Sequence, residues 1–156
     1  MKIVLDTNVL VAGLRSTIGA SRMILLAVGE RIVIPLCNVA MMLEYEEVLK
    51  RQPNLTATGM TEASVDIFLD AFSALVEPVP PGFVHRPVLP DSDDEAFLEA
   101  AINGRAEALV THNVLGFQDT DPHALPHGMP NVRPGDFLRR LSWRPSATTR
   151  SVFRIP

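Results

Sequence analysis

The chain has 156 residues, which is enough for one domain with a substantial buried core. Apolar residues make up 47% and charged residues 21%, a balance that excludes an intrinsically disordered chain, and no apolar run approaches the roughly 18 residues that a membrane span needs. The single cysteine, Cys37, excludes an internal disulfide, and a start without the pattern of a signal peptide predicts a cytoplasmic protein with no membrane contact.

The net charge of −4 is unevenly distributed along the chain. Residues 1–132 carry 8 basic and 17 acidic side chains, whereas residues 133–156 carry six arginines and one acid, Asp136. A basic end on an acidic body fits contact with a polyanion or docking on an acidic partner, and it equally fits a solvated tail.

The spacing of apolar residues predicts ten elements in the order β-α-α-β-α-α-β-α-β-α. The strands are short continuous apolar runs, and capping residues or Gly and Pro bound the helices. In chain order, the predicted elements are a strand at 2–6, a helix from residue 8, a helix at 20–28, a strand at 31–34, a helix at 38–51, a helix from residue 61, a strand near 75–79, a helix at 93–103, a strand at 108–111 and a helix at 134–141.

Several boundaries rest on single residues. Thr17 or Ser21 is the predicted N-cap of the second helix, and Pro53 is expected to end the third one. Residues 53–60 and 118–131 are predicted loops. Short apolar strands that alternate with helices predict an α/β fold, with a mainly parallel sheet covered by helices on both faces.

Asp6 and Glu44 are the acids that most need an explanation. Asp6 ends a buried strand, and ligands of open α/β sheets bind beyond the carboxyl ends of the strands. A carboxylate beside an apolar core is costly unless a partner or a metal compensates it. Glu44 stands within an apolar helix segment, whereas Glu46 and Glu47 are predicted to be solvated.

Asp91 and Asp94 flank the start of the helix at 93–103. The helix dipole favours acids there without any function, so we assign only one or two of the acids at this point to chemistry. If Asp6, Glu44 and Asp94 meet, a cation is needed to balance their repulsion. Oxygen ligands select Mg²⁺ or Mn²⁺, which suit phosphodiester hydrolysis.

At these residues the chain resembles the PIN domain family, and within it the branch of VapC-type toxin ribonucleases. Five segments carry the resemblance, and their order and spacing make it specific. They are IVLDTNVL (3–10), LEYEEVL (43–49), DSDDEAFLEAA (91–101), ALVTHN (108–113) and PGDFL (134–138).

The resemblance implies a three-layer α/β/α sandwich over residues 1–141, followed by a basic tail at 142–156. It also implies a metal-dependent endoribonuclease that cleaves RNA phosphodiester bonds, restrained by a cognate antitoxin and expected to be a homodimer. By position, Asp6, Glu44 and Asp94 match the family's three catalytic, metal-binding acids, and Asp91 matches an additional acid that assists.

One position departs from the family pattern. A fourth acid commonly follows the threonine of the fourth strand, where this chain has Asn113 or Gly116. A second metal would then be held more weakly, or Asp119 would have to reach in from the loop. Thr7, Asn8 and Thr111 are expected to support the site by hydrogen bonds. The candidate RNA-binding residues are Arg15, Arg22 and the C-terminal arginines, because phosphates are bound by basic side chains.

Three alternatives remain beside the ribonuclease. The altered fourth acid favours an inactive PIN-like binding module that serves as a partner platform. A haloacid-dehalogenase-like phosphatase needs a second Asp where this chain has Asn8, and a receiver domain needs a late lysine, although none follows Lys50. His123 and His127 are four residues apart, but Pro126 between them breaks a continuous helix and argues against a zinc pair on one helix face.

Overall fold

The computed structural model describes residues 1–82, 94–117 and 129–145. Five short strands form one sheet, and seven α-helices flank it in this part of the chain. The strands are β1 (Lys2–Leu5), β2 (Ile34–Cys37), β3 (Glu77–Pro78), β4 (Ala108–Val110) and β5 (Asn131–Val132). The helices are α1 (Thr7–Arg15), α2 (Ala20–Gly29), α3 (Val39–Leu49), α4 (Gln52–Thr58), α5 (Glu62–Ser73), α6 (Glu95–Asn103) and α7 (Pro134–Leu141).

The sheet is parallel throughout, with the strand order β3-β2-β1-β4-β5. The prediction of a parallel α/β sheet is therefore confirmed. The chain builds outward from β1 to β3 and then crosses to β4 on the other side of β1. A crevice for ligands is expected at this reversal, beyond the carboxyl ends of β1 and β4.

The apolar runs of the central strands lie inside the core. Ile3, Val4 and Leu5 are fully buried, as expected for strands covered on both faces. Tyr45 of α3 packs against Phe72 and Phe97, with ring centroids 6.0 Å apart in both pairs, and its hydroxyl donates to the carbonyl of Leu5 at 2.5 Å. This bond attaches α3 to the end of β1, next to Asp6.

Some predicted boundaries are wrong. Residues 52–58 form α4, because a proline in the first helical turn loses no hydrogen bond, and Pro53 lies there. β2 begins at Ile34, three residues later than predicted, after Arg31 with its left-handed φ of 57°. The predicted loop at 118–131 ends in a strand residue, Asn131 of β5.

The predicted N-caps of α2 are also wrong. Gly19 occupies the cap position and makes no side-chain cap bond. Ser16 instead accepts hydrogen bonds from the amides of Gly19, at 2.8 Å, and Ile18, at 3.4 Å. Ser21 is buried and lies 2.9 Å from the ring of His112.

The remaining elements follow the prediction closely. Asn38 caps α3 and Thr61 caps α5, each accepting a backbone amide in the first turn. Several predicted features lie outside the described residues, namely Asp91, Asp119, His123 and His127. No single described helix is long and apolar enough to span a membrane, and α1 and α2, bent by 98° at their junction, pass that test only as a pair.

Candidate functional site

Asp6 lies directly after β1 and caps the N-terminus of α1. Its side chain is 7% exposed and is held by three hydrogen bonds. Thr111 Oγ1 and Asn8 Nδ2 each donate to Oδ2 at 2.5 Å, and the Asn8 amide donates to Oδ1 at 3.4 Å. One carboxylate oxygen therefore carries two short bonds, while Oδ1 carries a single long one.

Burial raises the pKa of Asp6 above its ordinary value. The hydrogen bonds from Thr111 and Asn8 act in the opposite direction and offset only part of the effect. No lysine or arginine of the described residues forms an ion pair with Asp6. The ionised carboxylate is thus under-compensated, and a bound cation would favour it.

Glu44 lies in the middle of α3 and is half-buried. Its Oε1 accepts the hydroxyl of Thr7 at 2.5 Å, which fixes the carboxylate relative to the first residue of α1. The next residue, Tyr45, attaches the helix to β1. Glu46 and Glu47 pair with Lys50 and Arg51 on the surface, which confirms that they are solvated.

Asp6 and Glu44 line one cavity of about 580 Å³ at the crevice beyond β1 and β4. The cavity combines two acids with hydroxyl, amide, imidazole and guanidinium groups on a partly apolar floor. Its lining residues are Asp6, Thr7, Asn8, Val11, Ala12, Arg15, Glu44, Val48, Asn54 and His112.

Asp94 occupies the position before α6 and is not among the lining residues of this cavity. Across residues 1–82, 94–117 and 129–145, no three His, Cys, Asp or Glu side chains come close enough to hold a metal ion. The structure therefore brings together two of the three predicted catalytic acids. The roles of Asp94 and Asp91 as ligands stay predictions.

The supporting residues form one network around the two acids. Asn8 donates to Asp6 with its side-chain amide and accepts the backbone amide of His112 at 3.1 Å. Asn113 is turned elsewhere, because its Oδ1 accepts the amide of Gly116 at 3.2 Å in the 3-10 turn Leu115–Phe117. Asn113 is not among the lining residues of the cavity.

Two polar cavity residues, His112 and Asn54, were missed by the sequence analysis. His112 follows Thr111, and its ring nitrogen Nε2 lies 2.9 Å from the buried hydroxyl of Ser21. The position directly after a strand was a usable signal, although histidines were considered only as zinc ligands. Asn54 falls within the predicted loop at 53–60, so its position in the cavity could not be predicted from the sequence.

The donor set suits a hard divalent cation. Both acids offer carboxylate oxygens, and no cysteine lies in the cavity lining. Each carboxylate is oriented by a hydroxyl donor, an arrangement typical of metal sites. Arg15 adds one exposed cation to the rim of the cavity.

Comparison with known proteins gives one result. A family model described as PIN domain matches residues 2–115. The match includes Asp6, Glu44 and Thr111. No curated protein and no solved structure matches the chain significantly.

Proposed function

Because the chain belongs to the PIN domain family, whose members are generally nucleases, we propose that it is a divalent-metal-dependent endoribonuclease. Its substrate would be RNA, and the reaction hydrolysis of a phosphodiester bond. The observation that carries the proposal is the shared cavity of Asp6 and Glu44 at the crevice of a parallel sheet.

Asp6 and Glu44 would hold the Mg²⁺ or Mn²⁺ ion, with Asp94 and Asp91 as further proposed ligands. A bound ion of this kind activates the attacking water and balances negative charge on the leaving oxygen. Oδ1 of Asp6 is the oxygen better placed to bind it, because Oδ2 already accepts two short hydrogen bonds.

The chain's own residues supply orientation and charge. Thr111 and Asn8 hold the Asp6 carboxylate, and Thr7 holds that of Glu44. Arg15 lies on the cavity rim, where it can neutralise the phosphate of a bound strand. His112, fixed through Ser21 and Asn8, is available to donate a hydrogen bond to a phosphate or to the leaving oxygen.

The direct test is Mn²⁺-dependent cleavage of a mixed pool of single-stranded RNA. We expect wild type to cleave, and Asp6→Asn, Glu44→Gln and wild type in EDTA to be inactive while remaining folded. Asp70→Asn, an exposed acid on α5, is the matched control and should cleave like wild type. Cleavage that persists in both Asp6→Asn and EDTA contradicts the proposal.

A second function is favoured by one observation. Asn113 or Gly116 stands where the family commonly has an acid, and the Asn113 side chain accepts the amide of Gly116 outside the cavity lining. An inactive PIN-like module that acts as a partner platform would keep the fold without turnover. Folded wild-type protein that neither binds Mn²⁺ nor cleaves RNA would favour this alternative over the ribonuclease.

We also propose that the ribonuclease is the toxin of a toxin–antitoxin pair, held in check by a cognate antitoxin protein and acting as a homodimer. The resemblance to VapC-type ribonucleases supports these points. Induced expression in a bacterial host should arrest growth with wild type and not with Asp6→Asn. Equal growth of the two strains at equal protein levels contradicts the toxin role.

A further inference from the structure

One buried hydroxyl beside the cavity has a single hydrogen-bond partner. Ser21 lies in the first turn of α2 and is 4% exposed. Its Oγ lies 2.9 Å from Nε2 of His112, and it has no other hydrogen-bond partner within residues 1–82, 94–117 and 129–145. His112 is among the lining residues of the cavity of Asp6 and Glu44, whereas Ser21 is not. The contact therefore joins a buried residue of α2 to an imidazole of the candidate site.

The number of protons in this pair decides which atom is the donor. A serine hydroxyl carries one proton, and a buried donor without an acceptor is costly. If Nε2 of His112 were protonated, it would donate to Ser21 Oγ, and the Ser21 proton would have no acceptor among the described residues. The opposite arrangement, in which Ser21 donates and Nε2 accepts, avoids this cost.

The direction of the bond fixes the chemistry of the other ring nitrogen. A neutral imidazole carries its proton on one nitrogen only, so an accepting Nε2 places the proton on Nδ1. Nδ1 makes no hydrogen bond with the described residues. His112 thus offers an N–H donor, which suits an anionic oxygen and not a cation. In agreement, the described residues contain no group of three His, Cys, Asp or Glu side chains that could hold a metal ion.

The backbone of His112 is held on the Asp6 side of the cavity. Its amide donates to Asn8 Oδ1 at 3.1 Å, and Nδ2 of the same Asn8 donates to Asp6 Oδ2 at 2.5 Å. Asn8 therefore bridges His112 and a carboxylate that is proposed to hold the ion. A donor that is held in place before the reaction needs little reorganisation when negative charge develops.

The departure from the family pattern next to His112 gives such a donor a use. Asn113 or Gly116 stands where a fourth acid is expected, and Asn113 is not among the lining residues of the cavity. An acid there would help to hold a second cation, which would balance charge on the reacting phosphate. A hydrogen-bond donor aimed at the same oxygens balances part of that charge without a metal.

We propose that Ser21 is a positioning residue that holds His112 in the tautomer with the proton on Nδ1, and that this N–H donates to the phosphate under cleavage in place of a second cation. The inference rests on the proposed ribonuclease function. No proton is transferred, because the hydrogen bond only strengthens as negative charge grows on the phosphate oxygens. His112 contacts the substrate, whereas Ser21 acts only through His112.

The first test is spectroscopic and needs neither metal nor RNA. Long-range ¹H–¹⁵N correlation spectra of the metal-free protein distinguish the two tautomers of a histidine at about pH 8.5, where imidazoles are neutral. Signals that are missing in His112→Asn identify those of His112. We expect the Nδ1–H pattern in wild type, and the Nε2–H form should become populated in Ser21→Ala. An Nε2–H pattern in wild type overturns the inference.

Ser73→Ala is the matched control for the loss of a serine hydroxyl. Ser73 is exposed on α5, and its Oγ donates to the carbonyl of Asp70 at 2.7 Å, outside the cavity lining. The variant should keep the wild-type His112 signals. An equal change of tautomer in Ser73→Ala and Ser21→Ala would contradict a specific role of Ser21.

Steady-state kinetics test the contact with the substrate. His112→Ala should lower kcat about 100-fold with little change in KM, because the bond is strongest in the transition state. Asparagine places an N–H donor near the position of Nδ1, so His112→Asn should recover part of the loss. Ser21→Ala should lower kcat about 10-fold, and Ser73→Ala should leave it unchanged. Equal kcat values of His112→Ala and wild type overturn the inference.

Metal binding separates this role from that of a ligand. The Kd of Mn²⁺, measured by calorimetry without RNA, should be equal in wild type and His112→Ala and weaker in Glu44→Gln. Weaker binding in His112→Ala would make His112 a ligand and overturn the inference, while the proposed metal-dependent ribonuclease would stand. If wild type does not cleave RNA, the proposed function fails, and the role of His112 in the reaction fails with it.

Discussion

At the scale of single residues, Asp6 combines burial with an unequal use of its two oxygens. Thr111 and Asn8 bind Oδ2, and burial still raises the pKa of the carboxyl. A raised pKa means that the folded protein holds the proton more tightly than the unfolded chain. The corresponding stability is present below the unfolded value of about 3.8 and is lost as pH rises through the folded value.

Asp6→Asn should therefore separate stability from activity. At neutral pH without metal, we expect the variant to be at least as stable as wild type, because it removes an under-compensated buried charge. The difference in free energy of unfolding should shrink as the pH approaches about 4. Urea unfolding across that pH range measures it.

Asp70→Asn serves as the control, because it makes the same change from carboxylate to amide at an exposed position on α5, outside the cavity lining. A large loss of stability in Asp6→Asn at neutral pH would mean that the ionised carboxylate is stabilising, contrary to its raised pKa.

Thr111→Val tests whether the orientation of Asp6 matters. Thr111 is fully buried and its hydroxyl donates to Asp6, so valine removes the donor at nearly constant shape. We expect kcat/KM to fall about 10- to 100-fold and the free energy of unfolding to fall by about 1–3 kcal/mol. Steady-state cleavage and urea unfolding give the two values.

The control for this loss of stability is Thr61→Val, which removes the N-cap of α5 far from the cavity. It should cost about 1 kcal/mol of stability and leave kcat/KM unchanged. Equal losses of activity in the two variants would assign the Thr111 effect to stability alone.

At the scale of elements, Asn38 connects the two helices that carry candidate acids. Its Oδ1 accepts the amide of Met41 at the start of α3, and its Nδ2 donates to the carbonyl of Ala96 in α6, both at 2.9 Å. One side chain thus caps the helix of Glu44 and ties it to the helix that follows Asp94.

Asn38→Ala should cost about 1–2 kcal/mol, since it removes both the cap of α3 and the side-chain hydrogen bond to the Ala96 carbonyl. Asn38→Asp keeps the cap and loses only the bond to Ala96, so its loss of stability should be smaller. Thermal unfolding of the two variants compares them directly. Equal stability losses would show that the bond to α6, and not the cap, dominates.

Sequence periodicity predicted the central elements because their local and tertiary preferences agree. It failed at β2, because the predicted strand ends at residue 34 and the observed strand continues through Pro35 to Cys37. Pro35 lies within β2, where Ile34 already bonds to Met1 on the β1 side, and so the nitrogen of Pro35 faces β3. There the paired part of β3 starts only at Glu77, opposite Leu36, and no ladder bond is lost.

The two acids of the cavity were predictable because each one interrupts or ends an apolar segment. Asp6 follows a buried strand, and Glu44 interrupts an apolar helix segment. Asn54 could not be predicted, because its place in the cavity depends on α4, which the sequence analysis treated as a loop. Asp94 was selected by its spacing along the chain, and it is not among the lining residues of the cavity. Spacing along the chain alone is thus not enough to place an acid in the cavity.

At the scale of the whole molecule, the proposed ion is a source of stability. A ligand that binds only the folded protein stabilises it by an amount set by its concentration relative to Kd. Asp6 directly follows the central strand β1. Metal binding at Asp6 should therefore raise the free energy of unfolding of the whole domain.

Mn²⁺ at about 100 times its Kd should add about 2.7 kcal/mol to the free energy of unfolding. For a chain of this length that corresponds to a rise in Tm of roughly 5–10 °C. Differential scanning fluorimetry with and without Mn²⁺ measures the shift. Asp6→Asn should show none, and an equal shift in that variant would place the bound ion elsewhere.

The two outer strands limit how copies of this protein can associate. β3 and β5 have two residues each, and Pro78 of β3 has no backbone N–H to offer. These edges give almost no template on which a strand of another chain could add. Within residues 1–82, 94–117 and 129–145, the helical layers therefore offer a proposed second copy or regulator more surface than the strand edges do.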